Sequence, residues 1–126
     1  MIFRTMLKSK IHRATVTDAN VDYPGSISID AEIMAAADIL EYEKVHVLSL
    51  TSGNRLETYA ISGETGSGQI CVNGAAARLV AKGERVIILT YAQVDETTAA
   101  DYRPKVILID EDNNTNQWTT LTTSSG

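Results

Sequence analysis

The stretch Tyr23-Pro24-Gly25-Ser26-Ile27 sets a hydroxyl nucleophile directly after the least hindered residue type. It has two readings. Pro-Gly is a turn signal, because Pro24 presets φ for the second turn position and Gly25 tolerates positive φ at the third. Gly-Ser is also a bond that can break itself, and the rest of the chain must decide between the two. Other residues with chemical potential are spread along the sequence. "NRLETYAI" brings a cation, a hydroxyl and a phenol close together in Arg55, Thr58 and Tyr59. The phenol has a use only where a nearby carbanion needs a proton; otherwise this is an ordinary strand. "VNGAAAR" sets Asn73 before Gly74, Ala75 and Ala76. Such small residues at a helix start leave its amides open to an anion, and close packing of the alanines is the competing reading. Arg4, Lys8, Lys10 and Arg13 crowd the first 13 positions. They fit either a holder for a small anion or a solvated strand face.

Familiar site motifs are absent. There is no Gly-x-Ser-x-Gly, no phosphate-binding Gly-x-x-x-x-Gly-Lys and no Cys/His pair at metal-ligand spacing, and His12 and His46 are isolated from one another. No metal site is expected. The net charge of −5 argues against a nucleic-acid partner. No apolar run approaches the roughly 20 residues that span a bilayer, so no membrane partner is expected. The N-terminus lacks the apolar core of a signal peptide. Cys71 is the only cysteine, so no intrachain disulfide can form, and a small buried strand residue is its expected role. These features suggest a cytoplasmic protein.

The elements that must position these residues are mostly strands. Residues 2–18 alternate, with Lys8, Lys10 and His12 on one face. "VHVLSL" (45–50) and "RLETYAI" (55–61) flank the hairpin loop "TSGN", with Arg55, Glu57, Tyr59 and Ile61 sharing one face. "GQICVN" (68–73), "ERVIILTYAQV" (84–94) and "KVILID" (105–110) read as further strands, and "GETGSGQ" (63–69) as a flexible loop. Two helices are expected. Asp30 caps the first, whose apolar stripe is Ile33, Ala36, Ala37 and Leu40. The second is residues 74–80, with Asn73 as its cap. The fold class is therefore mainly β, a small barrel with two short helices. One domain is expected over residues 1–112. The polar residues 113–126 form a loose tail in which Trp118 is a packing anchor.

Taken in order, "RTMLKSKIHRATVT", "YPGSISID", "GNRLETYAI", "VNGAAA" and "ERVIILTY" resemble the pyruvoyl-dependent aspartate 1-decarboxylases. The likeness covers most of residues 1–110. It implies a double-psi β-barrel, a homotetramer with sites between subunits, and a cytoplasmic role supplying β-alanine for pantothenate and coenzyme A. The chain departs from the family at Pro24, where Glu is usual, although the adjacent bond is kept.

The resemblance also assigns roles. The bond between Gly25 and Ser26 cleaves itself, Thr58 stabilises the oxyanion of that step, and Ser26 becomes a covalent pyruvoyl cofactor. L-aspartate joins that group as a Schiff base and loses carbon dioxide, and Tyr59 gives the proton that completes β-alanine. Lys10 and Arg55 hold the substrate carboxylates. Asn73 and the amides of Gly74, Ala75 and Ala76 line the substrate site, with Thr58 beside them and His12 and Tyr23 as secondary members. Two other classes stay open: a non-catalytic barrel that binds a ligand or protein, and a serine hydrolase using Ser26 and His12.

Overall fold

The computed structural model describes residues 1–114 and the backbone of residues 119–121. The described residues form nine strands, two short α-helices and a 3₁₀ turn. The strands are β1 (Phe3–Thr15), β2 (Asp18–Asn20), β3 (Ser26–Asp30), β4 (Lys44–Ser49), β5 (Arg55–Gly63), β6 (Ile70–Asn73), β7 (Arg85–Asp95), β8 (Lys105–Leu108) and β9 (Thr119–Leu121). They are hydrogen-bonded in the order β2-β6-β3-β5-β4-β7-β1-β8-β9. The chain is mainly β with two short helices, as expected. Among the described residues the expected barrel is not closed by hydrogen bonds, since β2 and β9 stand at the ends of this order.

Period-2 alternation builds the core. Ser9 and Ile11 of β1 turn inward between the half-buried Lys8, Lys10 and His12. The alternation then breaks at Arg13, which has a φ of 71°. The β1–β7 register shifts between His12 and Ala14, so Ile11 and Ala14 both face the core although they are three residues apart. This bulge leaves the Arg13 carbonyl free to accept from Arg85 Nε at 3.0 Å. Ile27 and Ile29 of β3 and Ile70 and Val72 of β6 fill the core from the opposite side.

Several boundaries differ from the sequence reading. Helix α1 is Ala31–Ala37, and the Asp30 carboxylate caps it by accepting from the Glu32 amide at 2.8 Å. Asp38 ends it in the left-handed conformation. The chain reverses there, so Ile39 enters the core while the expected stripe member Leu40 is 73% exposed. The second expected helix is only a 3₁₀ turn, Gly74–Arg78, and Asn73 makes no side-chain cap to it. The second α-helix is instead α2 (Glu96–Ala99), where the Asp95 carboxylate accepts from the Thr97 amide at 2.9 Å.

The glycine-rich loop is tied down. The amides of Gly66 and Gly68 donate to the buried Asp30 carboxylate at 3.0 and 2.7 Å. Asn113, expected in the loose tail, is buried. Its Nδ2 donates to the carbonyls of Thr15 and Gly68 at 2.6 and 2.9 Å, and its Oδ1 accepts from the Thr15 amide at 2.7 Å. Further along the same segment, β9 pairs antiparallel with β8. Trp118 lies outside the described residues.

Candidate active site

Ser26 is the first residue of β3, so the strand that was not read from the sequence is the one that holds the candidate nucleophile. β3 runs antiparallel to β6, with Ser26 opposite Asn73 and Ser28 opposite Cys71. Alternation turns these four side chains away from the core, while Ile27, Ile29, Ile70 and Val72 point into it. The four form a small hydrogen-bonded patch in which Ser26, Cys71 and Asn73 are buried and Ser28 is half-buried. Asn73 Nδ2 donates to Ser26 Oγ at 3.1 Å and to Ser28 Oγ at 3.2 Å. Cys71 Sγ donates to Asn73 Oδ1 at 3.2 Å. Burial first, and then the charge of Asp18, push the Cys71 thiol above its ordinary pKa. It therefore stays protonated and able to donate.

On its other edge β3 runs parallel to β5, with Ile27 opposite Ala60. Ser26 directly precedes Ile27 and Tyr59 directly precedes Ala60, and both line one cavity. A cavity of about 370 Å³ opens over this junction, with Tyr23, Pro24, Ser26, Ser28, Tyr59 and Asn73 in its lining. Tyr59 is 39% exposed. Thr58 is half-buried and is not part of that lining.

The two glycines at the junction face opposite constraints. A Cβ on Gly25 would meet nothing within 4 Å. Gly74 has a φ of +72°, and a Cβ there would lie 2.6 Å from Gly25 Cα and 2.8 Å from Gly25 N. Only glycine lets the 3₁₀ turn press against the backbone beside the candidate scissile bond. Ala75 is exposed and Ala76 packs on the core.

The cations lie elsewhere in the chain. Cross-sheet pairing lines up His12, Ile87, Leu48 and Arg55 in one row and Lys10, Leu89, His46 and Glu57 in the next. Lys10, His12 and Arg55 thus share an outer face, and none of them lines the Ser26 cavity. His12 is held below the ordinary histidine pKa, chiefly by burial and then by the charges of Lys10, Arg13 and Arg85. Its Nδ1 is buried with no hydrogen-bond partner among the described residues.

Sequence reasoning passed over Ser28 and the cavity-side role of Cys71. The signal was available: two-residue spacing in "SIS" and "CVN" puts both on the face of Ser26 and Asn73.

The mainly β fold thus carries a buried serine after a glycine, opening on a cavity edged by a phenol. Known hydrolase motifs are missing, and His12 does not line the serine cavity. The sequence profile described as aspartate decarboxylase matches residues 2–116. The chain is 58% identical to the aspartate 1-decarboxylase of Acetivibrio thermocellus over 112 residues, covering 89% of each protein. It is 60% identical to that of Clostridium kluyveri over 108 residues, covering 86% of this chain and 85% of the relative. To that of Myxococcus xanthus it is 56% identical over 110 residues, covering 87% and 85%. The chain belongs to the aspartate decarboxylase family. Among the described residues, no helix is long and apolar enough to cross a membrane.

Proposed function

We propose that the protein decarboxylates L-aspartate to β-alanine and carbon dioxide with a pyruvoyl group made from its own Ser26. The observation that carries this reading is the placement of Ser26. It is buried at the head of β3, follows a glycine with open space on its Cβ side, and has an N–H donor 3.1 Å from Oγ. These residues fit the group.

Ser26 Oγ adds to the Gly25 carbonyl carbon, the peptide C–N bond breaks, and the proton lost from Oγ goes to the freed nitrogen. An ester remains. Loss of the Ser26 Cα proton then forms a Cα=Cβ double bond and breaks the Cβ–Oγ bond, with the electron pair leaving on the Gly25 carboxylate. Water replaces the nitrogen, which departs as ammonia, and residue 26 ends as a ketone. Thr58, next to the cavity-lining Tyr59, is the hydroxyl that faces the oxyanion in this reading.

When present, the group supplies a carbonyl that takes the substrate amine and draws off the electron pair left by carbon dioxide. The chain's own residues do the rest. Tyr59, at the cavity edge, gives the proton to the former α-carbon. Arg55 suits two-point binding of a carboxylate, and Lys10 binds the other. Asn73, the amides of Gly74, Ala75 and Ala76, and Tyr23 bound the substrate space, and His12 is a secondary member in the row of Arg55.

Lys10 does not line the Ser26 cavity of its own chain. A second copy supplying Lys10 completes the site, in line with a homotetramer whose sites lie between subunits. The setting is cytoplasmic synthesis of β-alanine for pantothenate and coenzyme A.

Intact mass under denaturing conditions tests this reading. Two chains are expected: residues 1–25, and a longer one lighter than a serine-ended fragment by one ammonia. Ser26→Ala should give only the full-length species. Two chains from Ser26→Ala would overturn self-cleavage.

A further inference from the structure

We propose that Cys71 and Ser28 are positioning residues for self-cleavage: together they fix the Asn73 amide so that an N–H, and not the amide oxygen, faces Ser26 Oγ. This rests on the self-cleavage reading above and deepens it.

A side-chain amide has two donors on one end and an acceptor on the other, and the two orientations have nearly the same shape. Which end faces Ser26 is decided by the neighbours. Here all three are hydroxyl or thiol groups on the same two strands. Cys71 lies two residues before Asn73 and donates to Oδ1 at 3.2 Å. Ser28 lies two residues after Ser26 and accepts the second Nδ2 hydrogen at 3.2 Å. The first hydrogen is left for Ser26 Oγ at 3.1 Å. Cys71 is 7% exposed, so water competes poorly for the Oδ1 position. Burial also keeps the thiol protonated, which is the form that donates.

The orientation matters at one identified step. When the ester breaks down, the Cβ–Oγ bond cleaves and Oγ keeps the electron pair as one oxygen of the Gly25 carboxylate. Negative charge grows on that atom. An N–H aimed at it stabilises the charge, whereas an amide oxygen in the same place would repel it. The Asn73 contact therefore favours elimination, and Cys71 and Ser28 act through it without touching the reacting atoms.

The test follows maturation of the full chain by intact mass after a pulse of expression, in wild type, Cys71→Ala, Cys71→Ser and Ser28→Ala. Hydroxylamine is added to matched samples, because it splits an accumulated ester into residues 1–25 and a serine-ended longer chain. Cys71→Ala is expected to slow formation of the ketone-ended chain about tenfold, the rate equivalent of roughly one hydrogen bond. It should also raise the hydroxylamine-released, serine-ended species. Cys71→Ser restores a donor and should mature close to the wild-type rate. Ser28→Ala should slow maturation by a smaller factor in the same direction. Cys71→Ala maturing at the wild-type rate would overturn the proposal. So would Cys71→Ser as slow as Cys71→Ala, since packing and not donation would then be the cause. Failure of the underlying reading looks different: wild type itself would remain one uncleaved chain.

Discussion

The β3–β6 patch and the outer face of β1, β7, β4 and β5 treat their polar groups in opposite ways. On the patch, Ser26, Ser28, Cys71 and Asn73 are satisfied by one another, buried or half-buried, and held at fixed spacing by strand register. On the outer face, Lys10 and Arg55 make no ion pair among the described residues, although carboxylates are near. Glu57, two residues from Arg55, pairs with Lys44 at 3.1 Å, and Glu43 pairs with Lys8 at 3.2 Å. A closed network suits a reaction that happens once, on an atom already covalently in place. Uncommitted cations suit a ligand that arrives and leaves, because a charge already neutralised in the fold has less to offer a carboxylate. Under the proposed function, the patch carries maturation and the outer face supplies the cations for the substrate carboxylates.

Substitutions that separate mass from turnover sharpen this division. The largest effect is expected from Tyr59→Phe. The ring and its packing stay, so the two-chain pattern should be unchanged. The acidic hydrogen is gone, and a positioned general acid is worth about 10²- to 10⁴-fold. β-Alanine formation should fall by about that factor in the fully matured variant, measured against carbon dioxide release from aspartate. Near-normal multiple turnover would remove Tyr59 from proton transfer. Arg55→Lys comes next. It should also mature normally, but a compact ammonium cannot reproduce the two-point fork. The aspartate concentration for half-maximal rate should rise about 10- to 100-fold, the worth of one charged hydrogen bond. An unchanged value would take Arg55 out of the site, and a maturation defect would break the division between the two faces.

Much of this arrangement was legible before any coordinates. Alternation revealed β1, β4, β5 and β7, and the Asp30 cap marked the start of α1 within a residue. What escaped had a physical cause in each case. β3 is short, and its serines and Asp30 make it look like a turn and a cap, because its outward face is a polar patch and not solvent. The residues 74–80 carry good helix formers, yet Gly74 must take a positive φ against Gly25, and Asn73 is committed to the serines. A cap needs a free side chain, and this one is occupied. Leu40 fits the helical period but lies beyond a left-handed Asp38. That Lys10 does not line the Ser26 cavity depends on how the strands are arranged, which sequence proximity does not encode.

The smallest effect expected concerns acid stability, and it reads the outer face from a different side. The His12 pKa in the fold lies below its ordinary value of 6.5, through burial and then the repulsion of Lys10, Arg13 and Arg85. The fold therefore prefers neutral His12. Its stabilising contribution is present above pH 6.5 and is lost as pH falls through the depressed pKa, where the unfolded chain binds the proton first. Glu84 is also depressed, mainly by its hydrogen bond from Ser49, but from an ordinary value of 4.5. Its contribution is present above 4.5 and is lost only in stronger acid. The two windows can thus be told apart. Thermal melts of wild type should show a modest drop in Tm, under about 5 °C, beginning below pH 6.5. His12→Gln, which cannot take up the proton, should flatten that first drop and keep the second. If the first drop persists in His12→Gln, the crowding of positive charge around His12 is not what the fold feels. The outer face would then hold its cations at no cost that pH can reveal.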